Sequence, residues 1–490
     1  MVFSGLPFLF FFLPAFLLLY TIARGRMKNI VLLLFSLFFY AWGEPVYIIL
    51  MLVTTLVDYT AGRLMGRLDE KETTPAQEEE KRNRRNRRLI LAVAVIIDLS
   101  LLAFFKYADM AVRGVNALMQ LMNAEHTAFA LPGIALPIGI SFYTFQSMSY
   151  TIDRYRGKVP VQKNYADYLT YVSMFPQLIA GPIVRYADVQ KELSAERRVG
   201  ADAFFAGFRR FLFGLFRKVL IANRMGALWD DIRMAETLSV PSAWLGLLAF
   251  TLQIYYDFSA YSDMAIGLGR MMGFYFPENF VYPLAARSMT DFWRRWHISL
   301  SGWFRDYVYI PLGGNRRGRA KQVRNLLVVF FLTGLWHGAF LNYILWGLYH
   351  GLFLILEKFL LPKVPGTRLK WLCHVYTLVV TTIGFGIFYF EDIAACGVFF
   401  GKLFGAGAAQ GGIVTGDILW YIGNYLPQLL IACVCAFPLV PWMKTKIAAS
   451  GKSVQRTVST LTAAALLMLF VLSVASLVRD TYNPFLYFRF

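Results

Sequence analysis

Two histidines in the middle of the chain have surroundings suited to chemistry. His337 stands in FFLTGLWHGAFLNYILWG, between Trp336 and Gly338, and His297 stands 40 residues earlier in DFWRRWHISLSGWFRDYVYIPLGGN. An ionisable side chain in or beside a lipid-buried segment is costly, so it marks a candidate site. A neutral imidazole is an adaptable general base near neutral pH, and His337 has an aromatic wall on one side and bare backbone on the other. A structural histidine bonding a neighbouring helix is the other reading. His297 follows Arg294 and Arg295 between Trp293 and Trp296. It suits a group that orients a substrate or polarises a carbonyl, and equally an interfacial aromatic–basic belt. His126, His350 and His374 lack comparable settings and read as structural.

The chain ends in NPFLYFRF, with four aromatics in its last six residues. Chain ends usually fray and carry polar residues. Aromatic anchoring at the outer membrane interface accounts for Phe485, Phe488 and Phe490. Tyr487 has a hydroxyl that becomes a feasible covalent carrier once a base reaches it. Asp257, Asp263 and Asp291 flank apolar segments; they either line a polar tunnel or pair with arginines, and no catalysis is assigned to them. Arg305, Arg316, Arg317, Arg319 and Lys321 suit a phosphate-bearing ligand, but also an ordinary cytoplasmic loop. Neither GxxxxGK[ST] nor GxSxG occurs.

The elements that must position these residues are membrane helices. The 490 residues are 57% hydrophobic and only 16% charged, which is the balance of a polytopic membrane protein. The net charge of +19 falls in short runs between apolar segments, as cytoplasmic loops do, and argues against nucleic-acid binding. Cys373, Cys396, Cys433 and Cys435 form no disulfide framework, the last two lack zinc partners, and small core packing is their expected role. The first apolar run is followed, not preceded, by Arg24, Arg26 and Lys28, which places the N-terminus outside as a retained segment.

From there the expected crossings lie near 4–21, 29–43, 46–62, 89–106 and 135–152, with two more near 242–275. A charged stretch at 63–88 reads as a solvated cytoplasmic loop. Residues 168–224 read as interfacial helices whose cations snorkel outward. Residues 325–340 and 341–358 form a hairpin with His337 toward the outer half, and crossings near 371–390, 415–440 and 457–478 follow. The tally is about twelve, which leaves the motif at 479–490 extracytoplasmic. No repeat or separate soluble domain is visible, so residues 1–490 read as one transmembrane domain.

These segments resemble a known family. FYTFQSMSYTIDRYRG (142–157), FPQLIAGPIVRY (175–186), QIYYDFSAYSDMAIGLG (253–269), NFVYPLAARSMTDFWRRWHISLSGWFRDYVYIPLGGNR (279–316), TGLWHGAFLNYILWGLYHG (333–351) and the closing PFLYFRF look like the membrane-bound O-acyltransferases. Within them the chain is most similar to the bacterial branch that includes the alginate O-acetyltransferase membrane subunits. Teichoic acid D-alanyl transferases are more distant.

The resemblance implies an all-α ring of tilted helices, with an outer funnel meeting an inner donor tunnel. It implies that His337 is the catalytic histidine, His297 the second family position, and Tyr487 a transient acyl carrier. Trp336, Arg305, Asn342 and Gln177 are candidate donor-binding residues. Acetyl-CoA is the implied donor substrate, with no bound cofactor or metal. An SGNH-type partner on the outer side of a bacterial inner membrane is implied to pass the acyl group to a polysaccharide. A D-alanyl donor on a carrier protein is the alternative. A multi-span glycosyltransferase would want paired acids in outer loops, and a transporter often shows paired broken repeats; neither is evident.

Overall fold

The computed structural model describes residues 1–70, 77–122, 129–235, 238–361, 370–406, 416–479 and 485–486. Every regular element among them is helical. Five helices are long and apolar enough to cross a membrane: Ile48–Glu70, Glu79–Leu121, Lys370–Tyr389, Asp417–Cys435 and Lys452–Arg479. The last has a mean hydropathy of 2.5 with only 11% of its most apolar window buried in the protein. Leu461, Leu467, Met468 and Val471 point outward from it. A helix this apolar and this uncovered needs lipid as its solvent. The protein is a multi-pass membrane protein.

The chain forms two compact units. The first comprises Met1, Pro7–Phe208 and Ala265–Pro277. In it, helices Met27–Gly43, Ile48–Glu70, Gln77–Leu121 and Ile140–Tyr155 carry a polar interior in which Thr151 donates to the buried Asp58. Arg197, expected to snorkel, is instead buried. Its guanidinium donates to Tyr20 Oη at 2.9 Å, Asn29 Oδ1 at 2.5 Å and the Glu192 carbonyl at 2.5 Å, and it stacks on Phe274. A charge can stay inside when every donor finds an acceptor.

The second unit comprises Val2–Leu6, Arg209–Met264 and Glu278 onward. It contains helices Arg319–His337, Leu341–Phe359 and Lys370–Tyr389, with the short helices Met289–Arg295 and Ile298–Phe304. Glu357 ties two of these together: its carboxylate accepts from Thr290 N and Thr290 Oγ1, both at 2.9 Å, and from Met289 N. An acidic side chain at a helix N-terminus satisfies amides that have no partner within the helix.

Two expectations change here. The two crossings expected near 242–275 are one helix, Val240–Met272. No proline or glycine stands between residues 247 and 266, and its polar side chains find protein partners, so nothing breaks it. The charged stretch 63–88 is also not a loop where it is described. Residues 63–70 complete helix Ile48–Glu70, and helix Gln77–Leu121 begins within the rest. Alternating charges on facing turns support this arrangement: Arg87 Nη1 lies 2.5 Å from Asp69, to which Arg154 also pairs.

Candidate active site

His337 is the last residue of helix Arg319–His337, which turns back at once into Leu341–Phe359. The two helices pack backbone to backbone. A Cβ at Gly347 would meet the Phe330 carbonyl oxygen at 2.2 Å, so a side chain there is excluded. Gly338, the residue after the histidine, lies against the Tyr343 ring, which a Cβ would meet at 2.2 Å. This turn leaves the His337 imidazole 8% exposed, within a cage of rings. Trp336, Trp346 and Phe388 stand edge-on to it, with centroids at 5.0, 5.0 and 5.2 Å. Asn342 fixes the Phe388 wall, its Nδ2 donating to the Phe388 carbonyl at 2.8 Å.

His297 is held differently. It is the N-cap of helix Ile298–Phe304 and takes φ +44°, one of two non-glycine residues with positive φ among the described residues. Such backbone costs free energy and persists only where neighbours fix it. Asn279 does so. Its carbonyl accepts from Ile298 N at 3.0 Å, and its Oδ1 accepts from Ser299 N at 3.2 Å and Ser299 Oγ at 2.9 Å. The same Oδ1 lies 3.3 Å from His297 Nδ1. Because a backbone N–H already donates to that oxygen, it is an acceptor, and His297 carries its proton on Nδ1. Nε2 is then the basic nitrogen. Asn279 was not singled out from sequence; its only signal there was a polar amide opening an apolar run.

One indole joins the two histidines. Trp336 is 5.0 Å from His337 and 6.0 Å from His297, edge-on to both. Phe258 closes the other side of His297 at 4.7 Å. Beside His337 lies a small cavity of about 30 Å³, enough for a bound water. Its lining includes Phe258, Trp346, Phe388, Asp257 and, from the far end of the chain, Leu486.

The other expected site residues fall as follows. Arg305 follows helix Ile298–Phe304, is mostly exposed, and pairs with its neighbour Asp306 at 2.7 Å. Gln177 belongs to the first unit, fully buried, with its Nε2 on the Tyr171 carbonyl. Tyr487 and His126 lie outside the described residues. Phe485, expected as an interfacial anchor, is 1% exposed and packs on Tyr261 at 4.6 Å. Asp263 and Asp291 do pair with arginines: Asp263 with Arg210 and Arg217, Asp291 with Arg295. Asp257 pairs instead with the buried Lys218. His350, read as structural, shares the aromatic wall, 5.2 Å from Trp346.

Comparison with known proteins resolves what this apolar two-histidine site belongs to. The sequence profile of the membrane-bound O-acyltransferase family matches residues 93–400. The chain belongs to that family. It is therefore an acyltransferase, and the matched span contains both histidines. Among similar proteins is the probable alginate O-acetylase of Pseudomonas putida, 40% identical over the full length of both chains. The peptidoglycan O-acetyltransferase of Helicobacter pylori is 34% identical over 71% of this chain and 68% of its own. The teichoic acid D-alanyltransferase of Bacillus subtilis is 30% identical over 43% of this chain and 55% of its own.

Proposed function

We propose that this protein takes an acetyl group from cytoplasmic acetyl-CoA and relays it across the membrane for O-acetylation of an extracytoplasmic polysaccharide. The observation that carries the reading is the meeting, in one unit, of His337, His297 and the residues just before Tyr487. Trp336 touches both imidazoles, and Leu486 lines the cavity that His337 also lines. Similarity to polysaccharide and peptidoglycan O-acetyltransferases supports the acetyl group and the acceptor class.

In this mechanism His337 removes the proton from the Tyr487 hydroxyl as its oxygen attacks the thioester carbonyl. The Tyr487 O–acyl bond forms, the carbon–sulfur bond breaks, and the imidazolium returns its proton to the departing CoA thiolate. Charge is restored within one turnover. The acetyl-tyrosine then gives its acyl group to an SGNH-type partner, so the charged CoA never enters hydrocarbon.

The hydrogen bond to Asn279 supports one reading of His297. With its proton on Nδ1 toward Asn279, its Nε2 accepts rather than donates. That suits orienting an N–H of the donor or relaying a proton. The basic residues Arg316, Arg317, Arg319 and Lys321 are exposed at the opposite end of the helix that ends in His337. A 19-residue helix rises about 28 Å, so phosphates held there are well separated from the acyl chemistry.

The cavity lining argues for acetyl over D-alanyl. Apart from His337 and Asp257 it is lined by aromatic and aliphatic side chains, and the Asp257 carboxylate already accepts from Lys218 and Leu486 N, leaving an incoming ammonium poorly served. The test is donor-thiol release by the purified protein in nanodiscs, free CoA from acetyl-CoA or the free carrier thiol from a D-alanyl carrier-protein thioester. His337-dependent release from acetyl-CoA supports the reading. Release only from the carrier thioester overturns the donor, and solute uptake without release overturns the enzyme class.

A further inference from the structure

The least expected contact in the protein joins a buried ion pair to the chain end. Lys218 and Asp257 pair with side chains 4% and 3% exposed. Burying two charges is costly, and an apolar pair of similar volume often serves stability as well. The pair does something more here. Asp257 uses its second oxygen to accept the backbone N–H of Leu486, 229 residues away, at 2.6 Å. The Lys218 ammonium sits 4.8 Å from the Phe485 ring centroid, a cation–π distance. Tyr261 packs edge-on to Phe485 at 4.6 Å, and Phe3 stacks on Tyr261 at 4.6 Å. Both chain ends therefore converge on one tyrosine.

We propose that the Lys218–Asp257 pair, with Tyr261, is the seat of the C-terminal segment, and that Asp257 is a positioning residue holding Phe485 and Leu486 against the His337 cavity. The inference rests on the reading of Tyr487, the next residue in the chain, as the acyl carrier. The seat grips one backbone N–H and one aromatic ring. It thus selects a segment with an aromatic residue immediately before the amide that Asp257 holds. Because Leu486 lines the same cavity as His337, the contact that anchors the chain end also sets what faces the imidazole.

The experiment is carboxypeptidase trimming of the full-length protein in nanodiscs, read by intact-mass spectrometry. In wild type, trimming stalls before Leu486 is removed. In the double variant Lys218→Met with Asp257→Leu, which removes the pair without stranding a charge, removal of Leu486 is faster by about tenfold or more, as expected for losing a hydrogen bond to a charged group. Asp257→Asn retains an acceptor and keeps part of the protection. If the double variant does not fold, Phe485→Ala replaces it, with the same expected acceleration. Equal trimming in wild type and a folded variant overturns the seat.

Acetylation of Tyr487 is followed separately, by intact mass of untrimmed protein incubated with acetyl-CoA, and falls at least tenfold when the seat is lost. Unchanged acetylation with accelerated trimming overturns the positioning role. A wild-type protein that stalls trimming yet never acetylates Tyr487 removes the relay and leaves the seat standing.

Discussion

His337 and His297 face the same indole but are held by opposite means. His337 ends a regular helix and is fixed by shape: Trp336, Trp346 and Phe388 surround it, and Gly338 and Gly347 let the backbones close. His297 sits on strained backbone and is fixed by hydrogen bonds converging on Asn279. Rings tolerate small adjustments in tilt, whereas a hydrogen-bonded turn sets both the direction and the tautomer of its imidazole. The difference fits a base that must follow a moving acyl group and a partner that must not move.

Substitutions test that contrast. The largest effect is expected for His337→Ala, which should lower acyl transfer by about 10²- to 10⁴-fold, the usual contribution of a positioned general base. CoA release with thermal melting checks it; a near-normal rate in a folded variant would make the assignment wrong. Asn279→Ala should come next. It strands the Ser299 amide and releases His297, for a stability loss of about 1–3 kcal/mol and at least a tenfold drop in rate. Asn279→Asp keeps the acceptor but loses the amide that donates to Ser262 Oγ and buries a charge, so it should recover only part of the melting temperature; a melting temperature equal to wild type would mean the Asn279 amide donor adds nothing.

Gly347→Ala tests the shape-held side. Its Cβ meets backbone rather than a movable side chain, so a loss of about 1–3 kcal/mol is expected from overpacking. If His297 is held independently, the Asn279→Ala and Gly347→Ala losses in stability add. The smallest effect belongs to Glu357→Ala, a lost helix cap worth about 1 kcal/mol, measured by chemical denaturation.

Much of this was legible in the sequence. Hydropathy revealed the membrane helices, and the rarity of histidine in apolar sequence singled out His337 and His297. What the sequence hid was pairing at long range. Lys218 lies among arginines that read as interfacial, and only a fold that brings helix Val240–Met272 against it makes it a buried partner of Asp257. Phe485 read as a membrane anchor because an aromatic near a chain end has the same composition whether it faces lipid or Tyr261. Asn279 escaped notice because an amide before an apolar run is common, and its value lies in four acceptor contacts that no spacing encodes. The helix at 240–272 was divided because its length of 33 residues exceeds a simple crossing.

The most direct test of the account is mass spectrometry of the C-terminal peptide after incubation with acetyl-CoA, for wild type, His337→Ala and Tyr487→Phe. The account predicts acetyl on Tyr487 in wild type and none in either variant. A bare Tyr487 alongside full His337-dependent CoA release would contradict the tyrosine relay.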